Sequence, residues 1–526
     1  MLSMIGRDMP TPKRSAPPRS LAGLMPMRAL ARDRQGATAA FFGVAITVVV
    51  GFAGLATEAG RWYDVRRDMQ DVADMAVLAA ATRYQQVNLL SGPGGSLQGQ
   101  GGTNQTQATA AANDVGRANA PSGNSTYFTS GMAVTFPGSV NAITSSNLVQ
   151  VQITRNENRL ISRLFMTGQQ QIVVSAVAGV FTSGTACVLA LGAGATGSSP
   201  NIGLRIQGNS TNNADTCVYA SNATGTSGIN INGNPTLNIA ALYSAGGCNS
   251  CSSYASTLPG GVDTNQPAIP DPFDYLAGIL NSTKRAALNL SSYPGNEQPC
   301  NKCAWTVPSG SMRNDTSTPN PIGPYYVFTN TLRIGTGNGP DSADLLPGTY
   351  FFVGGNNMSN GAGLNMTGGS LTCSTCTSTN GVSLVFLNVQ SNGSNGVAGQ
   401  ISVNGNATLN LNAPPATSSS PFKGVLLWRM PPADGSTEAS GKAFGNAEVS
   451  IEGTAASRLG GGVYAPRADM SWLGNSSMTA NSNCLVLVGG AITMGGNNVV
   501  TGTNSSGCGS FNPNMVPRSQ VVRLMM

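Results

Sequence analysis

From Ala37 to Ala56 the chain carries no charged side chain. That is about 20 residues, the length a helix needs to cross the hydrocarbon core of a bilayer. Phe41, Phe42, Val48, Val49 and Val50 are its bulkiest apolar positions. Lys13, Arg14, Arg19, Arg28, Arg32 and Arg34 precede it, against only Asp8 and Asp33. Positive flanks stay in the cytoplasm, so this predicts a cytoplasmic N-terminus and an extracytoplasmic body. A cleaved secretion signal is the alternative, but the run is long for a signal core and no small-x-small site follows it. Next, Trp62, Val65, Met69, Val72, Ala76 and Ala79 recur at steps of three and four, one apolar stripe along a helix. The alanines at its end favour helix and close approach by a neighbour. No proline interrupts between Ala37 and Gln86, so span and stripe are expected to form one continuous helix. The stripe has two readings: it packs on the chain's own next domain, or it docks against other membrane subunits.

Residues 87–107 read as a Gly/Ser/Gln linker without apolar periodicity. Met132, Val134 and Phe136, then Val149, Val151 and Ile153, alternate with polar or small residues, as half-buried strands do. Asn156 or Asn158 is placed to cap a short helix with Leu160, Ile161, Leu164 and Phe165 on one face. A further strand is expected from Gln170 to Phe181. Behind the long helix these elements make a small α+β layer over 108–183.

From Cys187 a unit of apolar-x-apolar-x-Gly keeps returning. Its copies begin at Leu204, Ile229, Leu364, Ile401, Val449, Met470 and Leu485. Two alternating apolar residues make a short strand with one face inward, and Gly-Asn turns the chain. Some neighbouring copies lie roughly 20–25 residues apart, about one coil of a repeat architecture that must stack to bury its faces. The fold expected for 184–515 is a large all-β domain, a right-handed parallel β-helix, with a pair of β-sandwiches as the alternative. The spacing between 240 and 360 is irregular, so loops are expected there, with Phe273, Tyr275 and Leu276 in a short covering helix after Pro270-Asp271-Pro272. The organisation is then 1–36 basic cytoplasmic tail, 37–59 transmembrane anchor, 60–86 amphipathic helix, 87–107 linker, 108–183 small domain, 184–515 β domain and 516–526 tail.

Composition sharpens this. Only 10% of the 526 residues are charged and 67 are glycine, which fits extracytoplasmic β structure with many tight turns. The net charge of +6 draws much of its excess from the N-terminal tail, and no basic stripe with interleaved aromatics suggests nucleic acid. There are 10 cysteines, an even number in a chain expected outside the cytosol, so disulfides are expected. Cys248/Cys251, Cys300/Cys303 and Cys373/Cys376 form C-x-x-C pairs; Cys187 is paired with Cys217 and Cys484 with Cys508. Zinc is the competing reading of the C-x-x-C pairs, at spacings unlike those of zinc ribbons. There is no histidine, which removes the commonest general base and the Ser-His and Cys-His nucleophile systems. The carboxylate pairs Asp271/Asp274 and Asp341/Asp344 stand in Pro- or Gly-rich loops, where turn or cap roles are expected. No catalysis, cofactor or metal is expected.

Gly36, Glu58, Tyr63, Gln70, Ala73, Asp74, Ala76, Leu78, Ala79, Ala80 and Ala81 together follow a known pattern. It is a basic-Gly start, an apolar span, an acidic residue near its end, an aromatic, then a Gln…Ala-Asp-x-Ala-x-Leu-Ala-Ala-Ala helix. This segment resembles the N-terminal domain of TadE/TadG-like proteins of the Tad (tight adherence, Flp) pilus-assembly system. The resemblance covers roughly a tenth of the chain, and Glu58 and Met69 stand where that family usually has Asp and Leu. It implies a non-enzymatic, single-pass component of pilus assembly in the bacterial inner membrane, with the body periplasmic or extracellular. Its partners would be membrane lipid and other pilus-assembly or pilin-like subunits, contacted through Glu58, Trp62, Val65, Met69, Gln70, Val72, Asp74 and Ala76. Prepilin cleavage usually needs Glu at the fifth position after the cut Gly; after Gly36 that position is Phe41, so the span is expected to be retained. The alternative function is a membrane-anchored adhesin that binds a surface or glycan.

Overall fold

The structure is a computed structural model. It describes residues 34–90, 104–120, 132–140, 143–144, 147–192, 202–291, 302–306, 312–317, 321–335, 339–431, 448–501, 505–512 and 515–525. Most of the basic tail and of the Gly/Ser/Gln linker, and Cys300, lie outside them. The described chain divides into two compact units. One holds 34–69 with 154–173; the other holds 70–153 with the rest from 174 onward.

A single helix runs Arg34–Leu90, unbroken as the absence of proline leads one to expect. By length and composition it can cross a membrane, and none of its most apolar window is buried. Phe41, Phe42, Val48, Val49 and Val50 are all exposed, which in water would be a large cost and in a bilayer is none. The rest of the first unit is the segment 154–173. Its only helical piece is a single 3-10 turn, Ser162–Leu164, and no Asn caps it: Ile161 stands at the cap position without a side-chain bond. Leu160, Leu164 and Phe165 do not turn inward as an amphipathic helix would require; they are exposed.

In the second unit, Met132–Thr135 pairs antiparallel with the strand Leu148–Glu157, with Met132 opposite Ile153 and Val134 opposite Val151. Leu148, Val149, Val151 and Ile153 are buried. An alanine-rich helix, Asn104–Asn119, begins inside the region expected to be linker, with Ala108 and Ala112 buried. Gly116 on it lets Met132 approach so closely that a Cβ would collide with the Met132 sulfur and methyl. The third strand is longer than expected, Gln170–Ala190, and crosses the boundary expected near residue 183. The residues expected to be a C-terminal tail form its antiparallel neighbour, Arg518–Met525.

The remainder is a large, mostly β body of many strands with few helices. Its strands pair almost wholly in parallel, in rows. One row joins Leu332–Ile334, Leu364–Met366, Ile401–Val403 and Val449–Ile451. It continues through Met470/Trp472 and Ile492/Met494 to Leu204/Ile206, Ile229/Ile231 and Cys248. This row is the repeated unit: one inward apolar pair per strand, all buried but for Cys248 at the end. A second row carries the bulk, with Phe328, Phe352 and Phe386 in register. Their rings stack at 4.8 and 4.3 Å, each contact adding about 0.5–1.5 kcal/mol beyond burial. A third row runs from Ala304–Thr306 through Thr408–Asn412 and Val499–Thr501 to Thr236 and Leu237.

One copy of the repeat stands in a different row from the others. Leu485-x-Leu487-x-Gly489 belongs to the second row, opposite Gly461 and Val463. The member of the first row is Ile492-x-Met494-x-Gly496, seven residues on. The glycine decides: Gly496 has the positive φ (79°) that the turn demands, and Gly489 does not.

The rows do not follow chain order. Leu204 and Ile206, near the start of the body, pair with Ile492 and Met494 near its end. From Cys248 the chain leaves the row and returns at its opposite end with Leu332. The crossing segment contains the short helices Leu276–Ile279 and Ser282–Ala287 and buries Phe273, Leu276 and Leu280. Phe273 fills the space over Gly462 and lies 5.1 Å from the Tyr464 ring. Disulfides join Cys187–Cys217, Cys248–Cys251, Cys373–Cys376 and Cys484–Cys508; Cys303 is also disulfide-bonded. The two longer loops, with sequence separations of 30 and 24, each constrain the unfolded chain by about 3.5 kcal/mol.

Candidate functional site

The stripe along the long helix is largely spent on the chain itself. Glu58 and Met69 are buried in the first unit, Val72 and Ala76 in the second; Trp62 and Val65 are half-buried. Gln70 donates to Asp74, 2.8 Å away one turn on, and to the Ser175 carbonyl. Ala76 lies beside Gly116 of the second helix. Met69, Val72 and Ala76, expected among the docking residues, are buried, so their side chains already have neighbours within the chain. Tyr63, Met75 and Leu78 stay exposed.

Glu58 marks the most organised polar site of the first unit. Its carboxylate is the first charge after the apolar run, and it is buried at 3% exposure. One oxygen accepts from the Leu160 N–H at 2.7 Å and the Ser162 hydroxyl at 2.9 Å. The other accepts from the Ile161 N–H at 3.1 Å and the Ser162 N–H at 2.7 Å. Three successive amides aimed at one carboxylate make a concave anion cradle, here filled by the chain's own side chain. Bonds to a charged acceptor are stronger than neutral ones, so the four fix the turn at 160–162 to the helix. Ile161 packs over Gly54, one turn before Glu58: a Cβ there would lie 3.1 Å from Ile161 Cγ1. One turn after it, Arg61 bonds Glu157 at 2.7 Å, and Arg155 bonds the same carboxylate. The Arg159 guanidinium lies 5.9 Å over the Trp62 ring. Glu58 was legible as part of the family pattern; its partners, about a hundred positions away, were not.

One carboxylate of each pair in the body has structural partners. Asp271 accepts from Tyr464 Oη at 2.8 Å and from the Phe273 N–H at 2.9 Å, which ties the crossing segment to the second row. Burial pushes its carboxyl up to about 6; the bonds from Phe273 and Tyr464 oppose the rise and neighbouring Asp274 adds to it. Asp344 accepts from Thr372 Oγ1 and the Ser374 N–H, both at 2.8 Å. Burial would raise its pKa, yet the bonds from Ser374 and Thr372 win and hold it below the usual carboxylate range.

The Asp271 shift has a testable sign. The native carboxyl binds its proton more tightly than the ordinary value of 3.8, so the stability it contributes is full below that pH. It is lost as pH rises through about 6. Asp271→Asn, which keeps the shape without the charge, is expected to flatten this loss, by at most about 3 kcal/mol at neutral pH. Urea midpoints for both proteins from about pH 4 to about pH 7 check it; parallel curves refute it.

No curated protein and no solved structure matches this chain. Residues 36–83, the span and stripe that carry Glu58, match the Tad family, described as "Putative Flp pilus-assembly TadE/G-like".

Proposed function

We propose that this chain is a non-enzymatic, single-pass membrane component of Flp pilus assembly, with its body on the extracytoplasmic side. The observation that carries the reading is a coincidence of extent. The family match over 36–83 falls on one unbroken helix whose first part is apolar and exposed and whose second part is packed against the chain's own domain. Exposed apolar helix suits lipid or neighbouring spans. The basic residues before the span favour a cytoplasmic N-terminus and an inner-membrane location. Partner contact outside the bilayer then falls to side chains left exposed, Met75 and Leu78 on the helix, rather than to the buried stripe.

We read the body as a parallel β-helix that presents a rigid, disulfide-stapled surface. Rows of parallel strands in register, with one inward apolar pair per repeat, support this reading. The test is deletion of the gene in its host, with sheared surface pili counted by electron microscopy. Pili are expected to be lost and to return with the full chain, but not with a chain carrying Met75→Glu and Leu78→Glu. Unchanged pilus numbers in the deletion would overturn the reading and favour an adhesin on a borrowed anchor.

A further inference from the structure

We propose that residues 160–166 form a second membrane contact, a loop set into the outer headgroup and acyl boundary beside the point where the helix leaves the bilayer. The proposal rests on reading the helix as a membrane span.

The first observation is exposure. Leu160, Leu164, Phe165 and Met166 are 57%, 78%, 78% and 57% exposed, four large apolar side chains in seven residues. Such a cluster in water marks an interaction surface. The second is depth. The loop is fixed to Glu58 and to Gly54, the last turn of the uncharged run. If that run fills the hydrocarbon, Glu58 lies at the interface and the loop bonded to it lies at the same level. Its apolar surface is thus continuous with that of the span.

The third observation separates lipid from other occupants. A bilayer interior offers backbone groups no water, so a loop that enters it must satisfy its own amides. This one does. The N–H groups of Leu160, Ile161 and Ser162 go to Glu58. Those of Leu164, Phe165 and Met166 go to the Ile161 and Ser162 carbonyls at 2.9–3.1 Å. A protein-binding loop gains by leaving such donors free for its partner. Arg163 is exposed within the loop, and its long side chain can reach phosphate while the stem stays in the apolar layer. Trp62 and Arg159, stacked at the loop's edge, are the residue types that populate the interface.

The experiment uses the full chain in phospholipid vesicles. All described cysteines are in disulfides, so Phe165→Cys provides a thiol for an environment-sensitive nitrobenzoxadiazole label; Ser359→Cys, an exposed site in the body, is the control. The label at 165 is expected to emit to the blue of the control and to be quenched by lipids spin-labelled near the headgroup. A label at 165 with the emission and lipid quenching of the control overturns the proposal. Retention of the chain in vesicles after alkaline carbonate is measured alongside. Retention without quenching rejects the loop alone; release of the chain rejects the span reading and the loop with it. Phe165 is already exposed, so the substitution leaves the fold intact.

Discussion

Gly474→Val is expected to unfold most of the β body or to lower its stability by about 2–5 kcal/mol, since two separate costs fall on one position. The first is backbone. Gly474 has φ of 77°, and a side chain there costs roughly 1–2 kcal/mol, more when β-branched. The second is space. A Cβ at 474 would lie 2.9 Å from the Gly453 carbonyl oxygen and 3.0 Å from its nitrogen. Neither can move, because strands on both sides are held in register. Overpacking of this kind costs about 1–3 kcal/mol. The same contact recurs down the column: Gly453 meets Gly405, Gly496 meets Gly474, Gly208 meets Gly496 and Gly233 meets Gly208. The turn backbones are thus in van der Waals contact from repeat to repeat, and one methyl group wedges two of them apart. The total is comparable to the net stability of many domains. The comparison is Gly278→Ala, in the short helix Leu276–Ile279, where a Cβ meets nothing within 4 Å. Thermal melts of the two variants should differ widely; equal melting temperatures would show that the column is not tightly stacked.

Glu58→Ala is expected to release the turn at 160–162 while leaving the body folded. It removes the acceptor of four hydrogen bonds and strands three amides. The donors left behind lose a charged acceptor, the stronger kind of hydrogen-bond partner. Local opening sets amide exchange, so protection at Ile161 and Ser162 should fall clearly below that of the parent. Trypsin should then cut at Arg159 or Arg163 faster than in the parent. Glu58→Gln keeps one accepting oxygen and turns an N–H₂ group toward remaining donors, so it should lie between. Glu58→Asp keeps the charge but shortens the reach by a methylene, and some protection should survive. Protection unchanged in the alanine variant would mean the turn is held by Ile161 on Gly54 instead.

Several features were legible because their signals are local. The apolar start of the long helix follows from an uncharged run, the helix beyond it from a period near 3.6, and the inward pairs of the first row from apolar-x-apolar followed by a turn glycine. Cys187–Cys217 and Cys484–Cys508 followed from parity and proximity along the chain. What failed was pairing at a distance. Periodicity shows that Leu204 and Ile206 need a neighbour but not that Ile492 and Met494 supply it. A stripe of Met69, Val72 and Ala76 asks to be covered, and nothing in its spacing says whether a partner or the chain's own domain does so. Leu485–Gly489 and Ile492–Gly496 share one pattern and both begin within a single strand, and only the turn's dihedral separates them. The helix Asn104–Asn119 has a signal, its alanines, but lies beside a glycine-rich stretch whose composition is that of a linker.

The order of the rows sets a timetable for making the molecule. The strand Leu204–Gly208 is synthesised early and has Ile229–Gly233 on one side almost at once. On its other side it has nothing until Ser477–Met494 emerges. Until then an apolar strand edge stands open, the kind of edge that recruits other chains. A chain interrupted shortly before Ser477 would keep two such edges, one at each side of the missing layer, and would be prone to join its own copies end to end. Synthesis must therefore outrun association, or a chaperone must shield the first layer while the last is on its way.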